Sequence, residues 1–386
     1  RICVRYECVP MRFIKHVYRI HTYAQDGRLF EGKTPVSAFL NSSYDGSFIA
    51  GLMELRYIQS LPVERIINYF ESHGFTLKKP TAHKLMEKAS SLFENLYKCI
   101  RQTALSDPYK AADETYYKIL VPEKNSKGKG VRKGYLWVVV GINTRMIYLL
   151  YDDGSRSERV ILNELGSCKG IIQSDGYSPY RKLESDAYPN ITRIPCLQHI
   201  KRKFIDCGEN DPDAKRIVEL INTLYQNEHK HKVGVDGWTV EQNLMHRKKY
   251  APDILGEIKD VFDEIEERGD LLPKSELQEA ITYLRNEWNA VVDIFNYGDT
   301  YLDNNIVERM NRYISLSRKN SLFFGSHKGA ERGAILYTIA LTCRMNKVNL
   351  FEYLTDVINR TAEWQPNTPL EKYRQLLPDR WEKAND

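Results

Sequence analysis

The spacing of apolar and polar positions divides the chain into a helical stretch, a strand-rich stretch, a second helical stretch and a last helix-led segment. Residues 1–46 mix Tyr, Arg and turn formers without a clean period and predict an irregular segment. Across residues 47–100 the period is helical. Ile49, Leu52, Met53 and Leu55 begin one helix, and Pro62, tolerated in a first turn, precedes Val63, Ile66, Ile67 and Phe70 in a second. Gly74 closes that helix, and Pro80-Thr81 opens a long one carrying Leu85, Ala89, Leu92, Leu96 and Cys99. Two helices about a short Gly-containing turn fit a helix-turn-helix DNA-binding module and a plain helical hairpin equally well.

The period then changes to that of strands. Residues 111–120 predict the first strand, and residues 135–142 and 146–151 a hairpin turning at Asn143-Thr144. The Lys- and Gly-rich loop 122–134 reads as mobile. A short helix over 156–165, a fourth strand over 170–174 ending at Asp175-Gly176, a fifth over 191–194 and a helix over 196–206 follow. Residues 207–299 return to a charged helical pattern, with a polar stretch at 229–237 that reads as disordered. A helix over 330–345 and a polar tail with Pro366, Pro369 and Pro378 complete the chain. The expected divisions are 1–46, 47–108, 109–206, 207–299, 300–347 and 348–386.

At 386 residues the chain exceeds one small core, and 42% hydrophobic with 28% charged residues describes a globular protein. No apolar run approaches the ~18 residues that span a bilayer, so no membrane role is expected. The start at Arg1, with no signal-peptide pattern, is compatible with a fragment of a longer product. Seven scattered cysteines without a Cys-x-x-Cys fit a reducing cytoplasm, which is the expected location. Cys196 and His199, one helical turn apart, make half of a zinc site, but no second pair has matching spacing, which argues against structural zinc. A net charge of +5 decides little. The local basic patches at 124–133, 201–203, 247–249 and 309–319 favour a polyanionic partner.

Three acids occupy telling places. Asp113 lies inside the first strand, Asp175 just after the fourth, and Glu308 near a helix start. If the first and fourth strands are neighbours, their acids converge, and a helix packed on the sheet can bring in the third. Two divalent cations roughly 4 Å apart on such carboxylates would activate an attacking oxygen and stabilise a leaving one. Mg²⁺ suits this arrangement because it needs few protein carboxylates and keeps positions for water and phosphate. Singly, each acid has an ordinary reading. Asp175-Gly176 is a common turn signal, Glu308 fits an i,i+4 pair with Arg312, and Asp113 competes with Glu114, which must face the other way.

Taken together, five segments resemble the insertion-sequence-sixty-six family of bacterial DDE transposases. They are Asp113-Glu-Thr115, Gln173-Ser-Asp175-Gly-Tyr177, Cys196-Leu-Gln-His199-Ile-Lys-Arg202-Lys-Phe204, Asp303-Asn-Asn-Ile-Val-Glu308-Arg309 and Arg318-Lys-Asn-Ser-Leu-Phe-Phe-Gly-Ser326. They run in the family's order over roughly residues 50–360. The resemblance implies an α/β fold whose ribonuclease-H-like core is a mixed five-stranded sheet with flanking helices, joined by a helical N-terminal region and a helical insertion over about 207–299. It implies a metal-binding triad of Asp113, Asp175 and Glu308, loaded with Mg²⁺ or, as a substitute, Mn²⁺. It also brings Cys196 and His199 to the active site, where the residues alone leave an inward-packed cysteine and an ordinary helix-face histidine equally open. The chain departs from the family pattern in three places. Only Cys3 and Cys8 stand where members often have a cysteine-rich zinc segment, Ala111 replaces the His two residues before the first Asp, and Leu197 replaces the aromatic after Cys196.

The activity implied is cleavage at the ends of a mobile element and joining of the freed 3′-hydroxyl to target DNA, with no covalent protein–DNA intermediate. Arg312, Arg318 and Lys319 are expected to contact the DNA backbone, with Lys201, Arg202 and Lys203 next. The expected partners are element ends, target DNA, further copies of the chain on DNA, and accessory proteins encoded by the same element. Two competing readings are a ribonuclease-H-like nuclease or resolvase that cleaves without joining, and an inactive domesticated copy that only binds DNA.

Overall fold

The computed structural model describes the chain apart from residues 1–4, 9, 34–36, 40–41, 125–127, 129, 209–210, 363, 366 and 384–386. Arg1, Cys3, Pro366 and part of the basic patch 124–133 lie outside the described residues. Strands β1 (Thr22–Gln25) and β2 (Arg28–Glu31) form a hairpin in the segment expected to be irregular. Asp26 and Gly27 both have positive φ, the conformation that suits a two-residue hairpin turn. Both strands are exposed along their length, so no alternation of apolar and polar positions marks them.

Five helical elements follow: α1 (Gly46–Met53), a π-helical turn (Glu54–Ile58), α2 (Val63–Ser72), α3 (Lys79–Leu92) and α4 (Glu94–Ser106). Asp45 caps α1 by accepting from the Phe48 N–H at 3.1 Å. The single long helix expected after Pro80 is interrupted at Phe93, whose buried ring sits at the junction of α3 and α4. Residues 73–78 separate α2 from α3, a longer connection than the three- or four-residue turn of a helix-turn-helix.

The central sheet contains β3 (Tyr109–Leu120), β4 (Val131–Gly141), β5 (Met146–Leu150), β6 (Gly170–Ser174) and β7 (Ile191–Pro195) in the order β5-β4-β3-β6-β7. β3, β4 and β5 pair antiparallel, whereas β3–β6 and β6–β7 are parallel. The five strands match the expected ones to within a few residues. β4 begins earlier, at Val131, where its exposed basic end hides the strand period. Helices α5 (Glu158–Leu165) and α6 (Ser178–Arg181) connect the strands, and α7 (Leu197–Asp206) leaves β7. Helices α8 (Pro212–Glu228), α9 (Val240–Glu267) and α10 (Glu276–Ile294) form the inserted block. After it come α11 (Asn305–Ser321), α12 (His327–Met345), α13 (Leu350–Thr361) and α14 (Leu370–Arg374).

Two cores result. The larger joins the N-terminal helices, the sheet, α12 and α13. The smaller joins α7 to α8, α9 and α10, and reaches the sheet through Tyr109, Ile171 and Ile194. α12 packs on β5 and also completes its free edge: the Leu149 N–H donates to Thr338 Oγ1 at 2.9 Å, and Thr342 Oγ1 donates to the Ile147 carbonyl at 2.8 Å. Those hydroxyls, one helical turn apart, occupy backbone groups that an edge strand would otherwise present for pairing.

Two segments differ from expectation. The 229–237 stretch is ordered by aromatic packing, with His231 stacked on Trp238 at 3.8 Å and both rings near His246. The region read as a polar tail contains α13, whose Tyr353, Leu354, Val357 and Ile358 are buried and which packs against α1. Prolines and charges around α13 masked its amphipathic face. No helix among the described residues is long and apolar enough to cross a membrane.

Candidate active site

Parallel pairing of β3 with β6 sets Ala111 beside Gln173. Asp113 and Asp175 each lie two positions further on, so the side-chain period of two puts them on the same face, at neighbouring points along the sheet. Asp175 is held where the chain leaves β6. Its carboxylate accepts from the Tyr177 N–H at 3.0 Å, and its carbonyl accepts from Arg193 Nη2 at 2.6 Å. Arg193 is buried on β7, also reaches Ser174 Oγ at 3.1 Å, and forms a fully buried ion pair with Glu287 of α10. The next residue, Gly176, donates its N–H to Tyr283 Oη of α10 at 2.8 Å, and a Cβ there would meet the Tyr283 ring at 2.6 Å.

Helix α11 brings the third acid. Asn304, Glu308 and Asn311 share one helical face by their i, i+4, i+7 spacing. Asn304 Nδ2 donates to the Ala112 carbonyl at 3.0 Å, and Asn311 Nδ2 donates to Asp113 Oδ2 at 2.8 Å. Glu308 sits between these two attachments to β3. At the far end of the helix, Leu322 takes a positive φ and the chain rejoins the same strand: Phe324 N–H donates to Lys118 O at 2.8 Å, and Leu120 N–H donates to Phe324 O at 2.9 Å. α11 is therefore strapped to β3 at both ends.

Asp113, Glu308, Asn311, Arg312 and Lys319 line an open cleft of about 490 Å³ together with Glu114, Thr115, Ser315 and Leu316. Burial, then the nearby Glu114 and Asp175 charges, push the Asp113 carboxyl up to about 8. Glu114 is taken up by Arg156, whose Nε lies 3.0 Å from Oε1, and its carboxyl is also raised, chiefly by burial. No ion pair joins Glu308 to Arg312 among the described residues; Glu308 Oε1 is buried without a hydrogen-bond partner there.

Cys196 and His199 do come to this site. Cys196 is the N-cap of α7, is buried, and its Sγ accepts from the Asn304 N–H at 3.2 Å. Burial pushes its thiol up to about 11. The Leu197 N–H donates to the Leu302 carbonyl at 2.9 Å, so the beginnings of α7 and α11 are stitched together. His199 Nε2 stands 3.8 Å from Glu308 Oε1.

The basic residues divide. Arg312 and Lys319 are exposed and border the cleft. Arg318 is half-buried: its Nη1 donates to the Tyr116 carbonyl at 2.6 Å, and its guanidinium lies 4.0 Å from the Tyr116 ring centre. On α7, Arg202 and Lys203 are exposed, whereas Lys201 is half-buried beside the Tyr225 ring. Sequence reasoning missed Asn304 and Asn311 as holders of the site. The signal for them was their spacing about Glu308. It also missed Tyr283, Glu287 and Arg193, which nothing in the sequence links to Asp175.

Residues 41–332 match the family model described as the IS66 family of transposases. The chain belongs to that family. Three uncharacterized proteins of Sinorhizobium fredii are similar to this IS66-family chain. Protein y4jD is 26% identical over 346 residues, covering 86% of this chain and 65% of its own length. Protein y4hP is 24% identical over 400 residues, covering 98% of this chain and 70% of its own. Protein y4qI is 26% identical over 384 residues, covering 95% and 69%. The chain thus spans about two thirds of the length of these relatives.

Proposed function

We propose that this IS66-family chain cleaves and joins DNA strands with a DDE triad of Asp113, Asp175 and Glu308 on a ribonuclease-H-like core formed by residues 109–206 and 300–347. In this reading residues 207–299 are the helical insertion and residues 47–108 a DNA-engaging helical region. The observation that carries the reading is the meeting of Asp113 and Glu308 in one cleft, with Asp175 near Asp113 just past the end of the adjoining strand. The strand order β5-β4-β3-β6-β7, antiparallel and then parallel, supports the core assignment.

The donor set fits divalent cations. The Asp113 carboxyl is raised by burial first and then by its acidic neighbours, a repulsion that a cation would relieve, and Glu308 Oε1 is a buried acceptor without a partner among the described residues. Mg²⁺, with Mn²⁺ as a substitute, would be held by Asp113, Asp175 and Glu308, and when bound would supply Lewis-acid activation of the attacking oxygen and charge relief at the leaving one. The chain's own groups do the rest. Asn311 orients the Asp113 carboxylate, while Arg193, braced by Glu287, and Tyr283 hold the backbone on either side of the Asp175 side chain. Arg312 and Lys319 neutralise phosphates along the cleft, with Arg202 and Lys203 extending the basic surface. Arg318 shapes that wall by its packing on Tyr116.

The test is a strand-transfer assay in Mg²⁺ on DNA carrying the ends of the element. Wild type is expected to give joined products, and Glu308→Ala to lose joining by at least about a thousandfold while end binding persists. Undiminished joining by that variant would remove Glu308 from the triad. Cleavage without joining by wild type would favour a nuclease, and DNA binding without cleavage a binding protein.

A further inference from the structure

We propose that Cys196, His199 and Glu308 form a second metal site selective for a thiol-seeking cation of the Zn²⁺ type, and that its occupation blocks the cleft. The sequence argued against zinc because Cys196 and His199 have no second pair nearby. The third donor instead comes from α11. One atom each from Cys196, His199 and Glu308 lies within 4.8 Å of the others, and His199 Nε2 is 3.8 Å from Glu308 Oε1. Bonds of about 2.0–2.3 Å in a tetrahedral sphere place donors roughly 3.3–3.8 Å apart, so modest side-chain rotation closes the set. The framework is rigid: Leu197 N–H to Leu302 O and Asn304 N–H to Cys196 Sγ lock α7 against α11. His199 Nδ1 and Glu308 Oε1 are both buried without hydrogen-bond partners among the described residues.

Sulfur and nitrogen donors select Zn²⁺ over Mg²⁺, which prefers an all-oxygen shell. Binding forms the Zn–S bond with loss of the Cys196 thiol proton to solvent. Three protein donors leave a fourth position open. The blocking role rests on the proposed catalytic use of Glu308, because a carboxylate drawn to Cys196 and His199 is withdrawn from Asp113 and Asp175. The cation site itself does not depend on that use.

Cobalt separates the two. Titration of the full chain with Co²⁺ alone is expected to give a thiolate-to-cobalt charge-transfer band at one equivalent, abolished in Cys196→Ser. His199→Ala, a half-exposed position, is expected to weaken Zn²⁺ binding by about tenfold or more in calorimetry. Asp113→Asn should keep the band. Co²⁺ binding without the band, a band that survives in Cys196→Ser, unchanged Zn²⁺ affinity in His199→Ala or loss of the band in Asp113→Asn would each overturn the site. Zn²⁺ added over excess Mg²⁺ should suppress wild-type joining; undiminished joining with the band present would overturn the blocking role. Absence of joining under any metal counts against the DDE reading alone, since the cobalt spectrum is read without DNA.

Discussion

Asp113 shows how a single carboxyl can report on its surroundings. Its pKa is raised from an ordinary carboxylate value to about 8, by burial first and the charges of Glu114 and Asp175 next. A folded-state pKa above the unfolded one means that the native protein holds the proton more tightly. The contribution of Asp113 to stability without metal is therefore greatest at low pH and falls as pH rises from about 4 to about 8, levelling off above. In thermal unfolding in chelator across that range, the stability of wild type relative to Asp113→Asn is expected to show this decline, the substitution changing the pH slope. A slope unchanged by the substitution would place the titration elsewhere, Glu114 being the nearest alternative. The sequence left Asp113 and Glu114 as rivals because alternation says that they point apart without saying which way. Both border the cleft, and what separates them is their partners far along the chain, Asn311 for Asp113 and Arg156 for Glu114.

Between elements, the inserted block has a reach that its own sequence conceals. Residues 207–299 read as helical from their periodicity, and α8, α9 and α10 are helices. Nothing local in Tyr283 or Glu287 indicates that they brace the turn after β6. Their role follows from α10 lying against β7, a contact between residues about a hundred positions apart. Glu287→Ala leaves Arg193 buried with only the half-exposed Glu184 for company. The variant is expected to lose about 3 kcal/mol in urea unfolding. Joining should fall with it even under conditions where the variant remains folded, because Arg193 also holds the Asp175 carbonyl. Joining equal to wild type in the folded variant would dissociate α10 from the site.

On the scale of the molecule, the sheet was the most legible part, because its strands carry runs of β-branched and aromatic residues and most are separated by recognisable turns. The β1–β2 hairpin and α13 were hidden, one by having no buried face and the other by its polar surroundings. α13 nevertheless closes the larger core against α1. Leu354→Ala, at a fully buried position, should cost about 2–5 kcal/mol, and unfolding followed by signals from the N-terminal helices and from the sheet should shift together. Separate transitions would mean that the helical region folds independently. The double attachment of α11 to β3 has a further consequence. The offset between Asp113 and Glu308 is measured along one strand, not along the chain that separates them. Lengthening or trimming the loops between the inserted helices leaves that offset unchanged, so lineages can remodel the insert without re-tuning the spacing of those two acids.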